Sequence, residues 1–379
     1  MERYDVVVVG GGTMGTAAAW ALAERGARTL VLEQFGHVHS LGSHGGKTRI
    51  IRHAYAESPD YVPLVGRAED LWLRLQAEQE TPLHVRTGGL DLARPGFPQA
   101  QDARGAAERH HLPHEWLDGA EIRRRWPAWT IDDEWEACYS SQTGFLLVEP
   151  ALRALAAAAR AGGAAIHEHE PVRSWRTSGE GIVVETPMGS YLTDRLIVTA
   201  GAWAASLLAD LGLPLTVLRK TLWWFETEDP ALFAVGRFPI FIAESAAGAV
   251  YGFPIAEGSA IKVANHSGGQ PADPERIDRV ARDDEASEVL PFARSALSGI
   301  TSRIAERAVC MYTVTPDRDF VVDRHPADPR VVIGAGFSGH GFKFAPAIGE
   351  LLTNLALDQG ARPWPRFAIA RFADPALHQ

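Results

Sequence analysis

The chain has 379 residues and a formal charge of −10 at pH 7, with 46% hydrophobic and 22% charged residues. These values are typical of an ordinary globular α/β protein with one large domain or two interleaved domains. Because an acidic surface repels phosphate backbones and no run of Lys or Arg is present, we expect no nucleic-acid partner.

Targeting segments and metal sites are not indicated. No stretch reaches the roughly 18 consecutive apolar residues that a membrane span needs, and the first residues lack the pattern of a signal peptide. The two cysteines are too few for a disulfide framework, and Cys138 is expected to be a small buried hydrophobe. His110, His111 and His114 fall in a loop-like stretch without metal-ligand spacing. We therefore expect a cytoplasmic protein with no metal and no membrane contact.

The first 33 residues predict a β-α-β unit. Residues 5–9 are a short apolar run rich in valine, which is typical of a strand buried on both faces. An alanine-rich helix follows to about Arg25 and ends at Gly26, and residues 29–33 form the next strand.

Gly10, Gly12 and Gly15 complete a G-x-G-x-x-G motif between this strand and helix, and Glu33 closes the second strand. The glycines permit a tight turn, close approach of a pyrophosphate, and packing of the helix on the strand. The helix N-terminus offers N–H groups to the phosphates, and Glu33 is expected to bind the adenosine ribose. A tight β-α turn without a ligand is the alternative. However, the strand, the helix and the acidic residue follow one another in the order that is typical of dinucleotide binding.

The segment after the second strand favours FAD over NAD. Residues 36–46 form a polar loop where a dehydrogenase would continue with another helix. A flavin ring must lie along such an extended segment, away from the first β-α unit. Residues 331–336 predict a last buried strand that turns into a helix, and Gly339, Gly341 and Lys343 at its start are placed to stabilise negative charge near N1 and O2 of a reduced flavin.

The remaining segments predict a second domain. We expect helices over 61–79 and 150–161, mixed short elements over 81–144, strands over 165–199, a helix to Leu211, antiparallel strands and helices over 214–304, and a last helix ending near Leu357. The predicted fold class is α/β (α+β), a Rossmann-type FAD-binding domain with an interleaved antiparallel-sheet substrate domain. The first domain comprises residues 1–80, 145–213 and 305–379, and the second comprises residues 81–144 and 214–304.

Several polar residues are candidates for chemistry. Lys262 and His266 share a face of a predicted strand, about 13 Å apart at roughly 3.3 Å per residue, so they would mark two ends of one cavity. A solvated strand face is the alternative. His340 and Lys343 lie three residues apart and share a helical face if the last helix has begun there.

Other candidates have equally ordinary alternatives. Arg49 and Arg52, if extended, point to opposite sides of a strand, so that one faces the cofactor and the other the substrate; surface charge is the alternative. Spacing alone makes Cys310 a small buried hydrophobe. Trp223 and Trp224 are expected to form core or pocket wall.

Residues 42–55 (GSHGGKTRIIRHAY), 309–312 (VCMY) and 336–344 (GFSGHGFKF) are specific segments. Together they resemble the monomeric sarcosine oxidase and N-methyltryptophan oxidase family, which is D-amino-acid-oxidase-like, and the resemblance runs nearly end to end. It implies that Cys310 carries FAD through a thioether to the flavin 8α carbon, and that Lys262 over the flavin ring promotes reaction with O2.

The resemblance also implies the walls of the site. Arg52 and Lys343 match the pair that binds the substrate carboxylate. The other residues that we assign to catalysis or the substrate pocket are Arg49, which packs near the flavin, and Tyr251, His266, His340, Tyr312 and Ile242. The predicted cofactor contacts are Gly10, Gly12, Thr13, Met14, Gly15, Glu33, Gln34, Ser43, Thr48, Arg49, Val172, Gly201, Cys310, Gly339, Gly341 and Lys343.

These assignments imply an oxidase of N-methyl amino acids. Cations and histidines around the amine would lower its pKa, the resulting imine would hydrolyse to formaldehyde, and O2 would become H2O2 with charge stabilised near Lys262. We expect a monomer that converts sarcosine to glycine. The alternatives are a bulkier or cyclic secondary amine (N-methyltryptophan, pipecolate or proline), an NAD-dependent dehydrogenase, and a non-catalytic flavin-binding protein.

This chain departs from the family pattern in the loop before Arg49. Gly45 replaces a second histidine of many bacterial members, and Lys47 replaces an acidic residue, so the loop resembles pipecolate and peroxisomal sarcosine oxidases. Ile242 stands at the pocket methionine of the sarcosine type, and residues 265–270 resemble the N-methyltryptophan branch. The departures bear on covalent attachment and substrate preference.

Overall fold

The computed structural model describes residues 1–373. In that range its α-helices are α1 (Thr13–Glu24), α2 (Val62–Gln76), α3 (Gln99–Arg109), α4 (Gly119–Arg125), α5 (Val148–Ala161), α6 (Ala204–Leu207), α7 (Leu290–Ala296) and α8 (Ala345–Leu357). Its strands are β1 (Glu2–Val9), β2 (Thr29–Leu32), β3 (Thr48–Ile51), β4 (His84–Arg86), β5 (Gly89–Ala93), β6 (Glu115–Asp118), β7 (Glu136–Ser140), β8 (Gly144–Leu147), β9 (Ala165–His167), β10 (Ser174–Ser178), β11 (Gly181–Thr186), β12 (Gly189–Val198), β13 (Thr216–Thr227), β14 (Ile240–Ser245), β15 (Gly248–Gly252), β16 (Ala260–Asn265), β17 (Gln270–Pro271), β18 (Ile300–Val314), β19 (Val321–His325) and β20 (Asp328–Ala335). No helix within residues 1–373 has the length and apolar character needed to cross a membrane.

A parallel sheet forms around β1, in the strand order β20-β12-β1-β2-β9. An antiparallel meander of β10 and β11 extends it from β12, and β19 pairs antiparallel with β20. Val6 and Val8 pack on one face of β1 with α1, α5 and α8, and Val7 and Val9 pack on the other face. This arrangement confirms the predicted strand that is buried on both faces.

A second, nearly antiparallel sheet is built on the long strand β13. Its order is β17-β13-β16-β15-β14-β5-β7-β6, β18 also pairs with β13, and β5 runs parallel to β14. Because side chains alternate along a strand, Trp223 is buried in the core on one face, while Leu222 and Trp224 lie on the other face with Cys310 and Tyr312. The two tryptophans therefore contribute one ring to the core and one to a cavity wall.

A small third sheet, β3-β8-β4, carries the segment that contains Arg49. The loop of residues 36–46 before it has no helix, as expected. At its end Gly46 has a φ of 97°, and a Cβ there would lie 2.3 Å from Cδ1 of Leu222. Glycine at this position lets the loop pass directly over the face of the second sheet.

Two predicted helices differ in the structure. The helix expected to reach Leu211 is the single turn α6, because Gly201 and Gly212 adopt left-handed φ values of 55° and 53° at the two ends of this segment. The last helix begins at Ala345, so His340 precedes it and Lys343 lies in the 3-10 turn Phe342–Phe344. His340 and Lys343 therefore do not share a face of an α-helix.

The predicted division into two domains stays a prediction, but one of its boundaries falls inside a strand. β18 pairs with β13 from Ile300 to Val314. Residues 305–314, which the prediction placed in the FAD-binding domain, consequently belong to the second sheet, and the chain returns to the parallel sheet with β19 and β20. The sequence pattern did not reveal this because an apolar strand looks the same in either sheet.

Candidate active site

A cleft of about 400 Å³ lies at the carboxyl ends of β1, β2 and β12, where open α/β sheets bind ligands. It runs from the turn after β1 to Tyr312 on β18 and the segment 336–342. Its wall contains these predicted cofactor contacts: Gly10, Gly12, Thr13, Met14, Glu33, Gln34, Ser43, Arg49, Val172, Gly201, Gly339 and Gly341. The predicted contacts Gly15, Thr48, Cys310 and Lys343 lie outside this wall.

The turn between β1 and α1 has the shape that a pyrophosphate requires. A Cβ on Gly10 would lie 2.5 Å from the carbonyl oxygen of Thr199, and one on Gly15 would lie 1.8 Å from that of Gly10. Gly15 thus packs α1 against β1 from beneath the cleft. A Cβ on Gly12 would meet nothing closer than 3.8 Å, so the space above it is open. The first turn of α1 has no acidic residue and no capping side chain, which leaves its N–H groups for an anion.

Glu33 is buried at the end of β2. Its Oε2 accepts a hydrogen bond of 2.8 Å from the N–H of Gly11, and its Oε1 accepts one of 2.8 Å from the N–H of Phe35. Burial raises the pKa of the carboxyl, and these two N–H groups oppose the rise. Each oxygen keeps a lone pair for a ribose hydroxyl. The turn and Glu33 together fit the adenosine and pyrophosphate of a dinucleotide, and the cleft continues beyond them to Tyr312 and residues 336–342, which leaves space for the rest of FAD.

Cys310 lies beside the far end of the cleft. Its side chain is 1% exposed and lies on the same face of β18 as Tyr312, which lines the cleft. Burial raises the pKa of the thiol, and the nearby charges of Arg49, Lys262 and Lys220 oppose this rise. The thiol therefore lies in an apolar cluster with three cations nearby, beside the residues of β18 that line the cleft.

A second cavity of about 60 Å³ adjoins the cleft. Arg49, Tyr312, Gly339 and Phe342 line both spaces. The cavity wall contains these predicted residues of the substrate pocket: Arg49, Arg52, Ile242, Tyr251, His266, Tyr312, His340 and Lys343. The fold thus brings together side chains from β3, β14, β15, β18 and the turn before α8.

Arg52 is the most deeply buried cation of this pocket, at 1% exposure. Its guanidinium forms an ion pair with Glu57, which also lines the pocket, and its Nη1 lies 3.5 Å from Oδ1 of Asp91 behind it. Burial would raise the pKa of Glu57, but Arg52 and other cations lower it to about 2. Burial raises the pKa of Asp91 to about 6, although Arg52 and the amide of Gln99 oppose this effect. Arg49, in contrast, donates from Nη2 to the carbonyl oxygens of the loop that precedes it.

The other titratable groups of the pocket are shifted toward their neutral forms by burial. Burial lowers the pKa of His266 to about 4 and that of His340 to about 3. It lowers the pKa of Lys343 to about 7, although Glu57 opposes the shift. The ring of His266 lies 5.9 Å from that of Tyr312 and 6.3 Å from that of Tyr251. The pocket thus combines permanent positive charge with neutral imidazoles.

Lys262 does not line this pocket. Its Nζ donates to the carbonyl oxygens of Gly46, at 2.5 Å, and of Thr48, at 3.0 Å, and it lines a separate cavity of about 20 Å³ with Trp224. The expectation that Lys262 and His266 mark two ends of one cavity is therefore wrong in this structure. Instead, the loop at Gly46 packs against Leu222 on this face of the second sheet and accepts the hydrogen bond from Lys262.

Several residues of the site were not predicted, and the following ones bear on its chemistry. Glu57, Asp91 and Tyr55 contact Arg52, and Phe253 lines both small cavities. Glu57 follows Arg52 by five residues, and this closeness of a carboxylate to a key arginine is a signal that sequence reasoning could have used. Asp91 lies on a different strand, and its sequence context carries no such signal.

Comparison with known proteins agrees with this geometry. Residues 5–355 match the family model described as DAO, FAD dependent oxidoreductase. Monomeric sarcosine oxidase of Bacillus sp. (strain B-0618) is 40% identical over 361 residues, which cover 94% of this chain and 92% of that protein. N-methyl-L-tryptophan oxidase of Yersinia pestis (strain Pestoides F) is 36% identical over 378 residues, covering 97% and 99%.

Among solved structures, NikD, an unusual amino acid oxidase essential for nikkomycin biosynthesis, superposes with a TM-score of 0.86 at 26% identity. The match covers 97% of this chain and 98% of that one. A family model that spans most of the chain, relatives above 30% identity along nearly its whole length, and a site whose cleft fits FAD lead to one conclusion. The chain belongs to the DAO family of FAD dependent oxidoreductases and is a flavin-dependent amine oxidase.

Proposed function

We propose that this protein oxidises the N-methyl group of a small N-methyl amino acid, with sarcosine as the substrate. The observation that carries the proposal is the small pocket beside the FAD cleft, in which Arg52 and Lys343 supply two buried cations. Relatives named for the oxidation of sarcosine and N-methyl-L-tryptophan support an N-methyl amino acid. Sarcosine, O2 and water would give glycine, formaldehyde and H2O2.

The residues of the chain have separate tasks in this proposal. Arg52 and Lys343 hold the substrate carboxylate through charge-assisted hydrogen bonds. The same positive charges, with His266 and His340 held neutral, disfavour a substrate ammonium and so promote its loss of a proton before oxidation. FAD, when bound along the cleft, supplies the two-electron oxidation and the transfer of electrons to O2. Lys262 provides charge for the reaction with O2.

The dimensions of the pocket favour a compact substrate. Its space of about 60 Å³ is several times the roughly 10–15 Å³ that one water needs, which suits a molecule of few heavy atoms. Ile242, Tyr251 and Phe253 close its side on the second sheet. A cyclic secondary amine such as proline or pipecolate is the next candidate, since a ring is compact, and N-methyltryptophan would require these side chains to move.

Purified protein is expected to release H2O2 with sarcosine, and to do so at least tenfold more efficiently than with N-methyltryptophan, pipecolate or proline. The comparison is made by kcat/KM in a peroxidase-coupled assay, with anaerobic bleaching of the flavin absorbance as an independent readout. Preference for one of the other amines would replace sarcosine but keep the oxidase. A yellow protein that no amine bleaches would support a non-catalytic flavin protein, and a colourless protein would contradict FAD binding.

We also propose that FAD is attached through Cys310. The position of the buried thiol beside the far end of the cleft supports this attachment. Acid precipitation of the wild type should then leave flavin in the pellet, whereas Cys310→Ser should release it into the supernatant. Cys138→Ser, which changes the other buried cysteine, is the matched control and should behave as the wild type. Flavin released from the wild type would contradict the attachment and leave the oxidase intact.

The protein is further proposed to be a cytoplasmic monomer. The name of the monomeric sarcosine oxidases supports the monomer. Size-exclusion chromatography with light scattering should give a mass near 41.1 kDa.

A further inference from the structure

Tyr55 is a fully buried tyrosine that contacts both cations of the proposed carboxylate site. The guanidinium carbon of Arg52 lies 4.6 Å from the centre of its ring, and Nζ of Lys343 lies 5.1 Å from it. Its hydroxyl lies 3.4 Å from Nζ of Lys343 and 2.5 Å from Nδ1 of His340. Tyr55 itself does not line the pocket. One side chain behind the wall therefore touches three side chains of the wall.

The direction of these hydrogen bonds is set by the partners. Nε2 of His340 lies 3.0 Å from the carbonyl oxygen of Arg318, which only accepts, so Nε2 carries the proton. Because burial keeps His340 neutral, its Nδ1 has no proton and accepts from the hydroxyl of Tyr55. The hydroxyl has then used its hydrogen, and its oxygen accepts from the ammonium of Lys343.

The ammonium of Lys343 has three N–H groups, and two of them have partners among the described residues. One goes to the hydroxyl of Tyr55, and one goes to the carbonyl oxygen of His340 at 3.1 Å. Within residues 1–373 the third has no hydrogen-bond acceptor, and Lys343 lines the pocket. Because the hydroxyl of Tyr55 and the carbonyl oxygen of His340 occupy two N–H groups of the ammonium, its third N–H is left for an oxygen atom in the pocket.

We propose that Tyr55 is a positioning residue that orients Lys343 toward the carboxylate of the substrate and stabilises its charged form. The proposal rests on the proposed function, because it names the partner of Lys343 as a substrate carboxylate. In a Tyr55→Phe variant the ring stays in place beside Arg52, but Lys343 loses an acceptor and Nδ1 of His340 loses its donor. The carboxylate should then bind less tightly through Lys343.

The effect should depend on pH. The charged groups that act on Lys343 are Glu57 and Asp91, which raise its pKa, and Arg52 and Arg49, which lower it; burial brings it to about 7. Carboxylate affinity that depends on the ammonium is lost as the pH rises through this pKa. Removal of the Tyr55 acceptor lowers the pKa further, so the loss should begin at a lower pH in the variant.

The test uses methoxyacetate, which has the shape of sarcosine with an oxygen in place of the N–H, bound to the FAD-loaded enzyme. Its Kd is measured by isothermal titration calorimetry between pH 6 and 9, so no turnover is needed. At pH 7 Tyr55→Phe should bind about tenfold more weakly than the wild type, because the ammonium of Lys343 loses one of its two fixed hydrogen-bond acceptors. The midpoint of its pH dependence should lie below that of the wild type.

Tyr61→Phe is the matched control. Tyr61 is a buried neighbour whose ring lies 5.2 Å from that of Tyr55, and its hydroxyl donates to Asp319 at 2.8 Å, away from Lys343. Its Kd should stay within about twofold of the wild type. In a Lys343→Met background, Tyr55→Phe should have no further effect on Kd, because the two residues act through one hydrogen bond.

Three results would overturn the proposal: equal Kd and equal pH midpoint in Tyr55→Phe and the wild type, a full effect of Tyr55→Phe without Lys343, or no binding of methoxyacetate by the wild type. Nitrogen NMR of His340 in the wild type supplies a check that needs no Tyr55 variant, because a proton on Nδ1 would reverse the hydrogen bond. If methoxyacetate binds as expected but no N-methyl amino acid is oxidised, only the proposed substrate fails.

Discussion

Replacement of Arg52 by glutamine is expected to raise the KM for sarcosine by about 30- to 1000-fold, with a smaller change in kcat. Removal of one partner from a buried, hydrogen-bonded charge pair costs about 2–4 kcal/mol of binding free energy. Because Arg52 is 1% exposed, solvent does not compensate for the loss of its positive charge. The measurement is steady-state kinetics of H2O2 release, with titration of methoxyacetate as a readout that is independent of turnover.

The same substitution should also destabilise the protein by about 3–5 kcal/mol, because it leaves the carboxylates of Glu57 and Asp91 without their cation. This loss has to be separated from the loss of binding. Asp91→Asn removes one of the two carboxylates, so the double variant Arg52→Gln/Asp91→Asn should recover part of the melting temperature but not the KM. Asp91→Asn alone keeps Arg52 and should change KM only a few fold. Recovery of KM in the double variant would show that Arg52 acts through stability alone.

Replacement of Lys262 by methionine is expected to slow the reaction of the sarcosine-treated enzyme with O2 by about 10²- to 10³-fold, which is typical for removal of one preorganised electrostatic group. Burial and the nearby charge of Arg49 lower the pKa of Lys262, but the carbonyl oxygens of Gly46 and Thr48 accept hydrogen bonds from its Nζ and favour the ammonium. Its cavity is separate from the pocket, so anaerobic bleaching by sarcosine should change only a few fold. Stopped-flow absorbance measures the two steps separately.

Lys47→Met is the matched control for this prediction. Nζ of Lys47 lies 5.6 Å from the ring centre of Trp224, and that of Lys262 lies 5.4 Å from the same ring, but Lys47 is half exposed and paired with Glu306. An exposed charge is screened by solvent, so its loss should leave the O2 reaction within about twofold. Equal slowing in both variants would assign the effect to general charge near Trp224 and contradict the specific role of Lys262.

The parts of the site that could be predicted are those with local signals. The turn of Gly10 and Gly15 and the acid Glu33 lie within one β-α-β unit, where spacing in the chain is nearly spacing in space. Arg52, Lys343 and the pocket histidines were assigned by resemblance, and the structure brings them into one cavity. Spacing along the strand did not predict that Lys262 and His266 line separate cavities. Whether two residues share a cavity depends on how the surrounding segments pack around them.

The partners of these residues could not be predicted in the same way. Asp91 lies on β5 of the second sheet, whereas Arg52 directly follows β3 of the third sheet. His340 and Tyr55 are 285 residues apart in the sequence, although their side chains are hydrogen-bonded. The desolvation that lowers the pKa of Lys343 to about 7 also exists only when the surrounding elements have packed. No periodicity or motif carries this information.

The β-α-β unit, the nucleotide turn and the family could all be predicted from the amino-acid sequence alone. These features depend on contacts within a turn, a helix or a strand, and such contacts are encoded by neighbouring residues. Only the folded chain shows that β18 belongs to the second sheet, that Lys262 has its own cavity, and that Tyr55 connects Lys343 to His340. The reason is physical: burial, charge pairing and hydrogen-bond direction are properties of groups that meet only after the chain has folded.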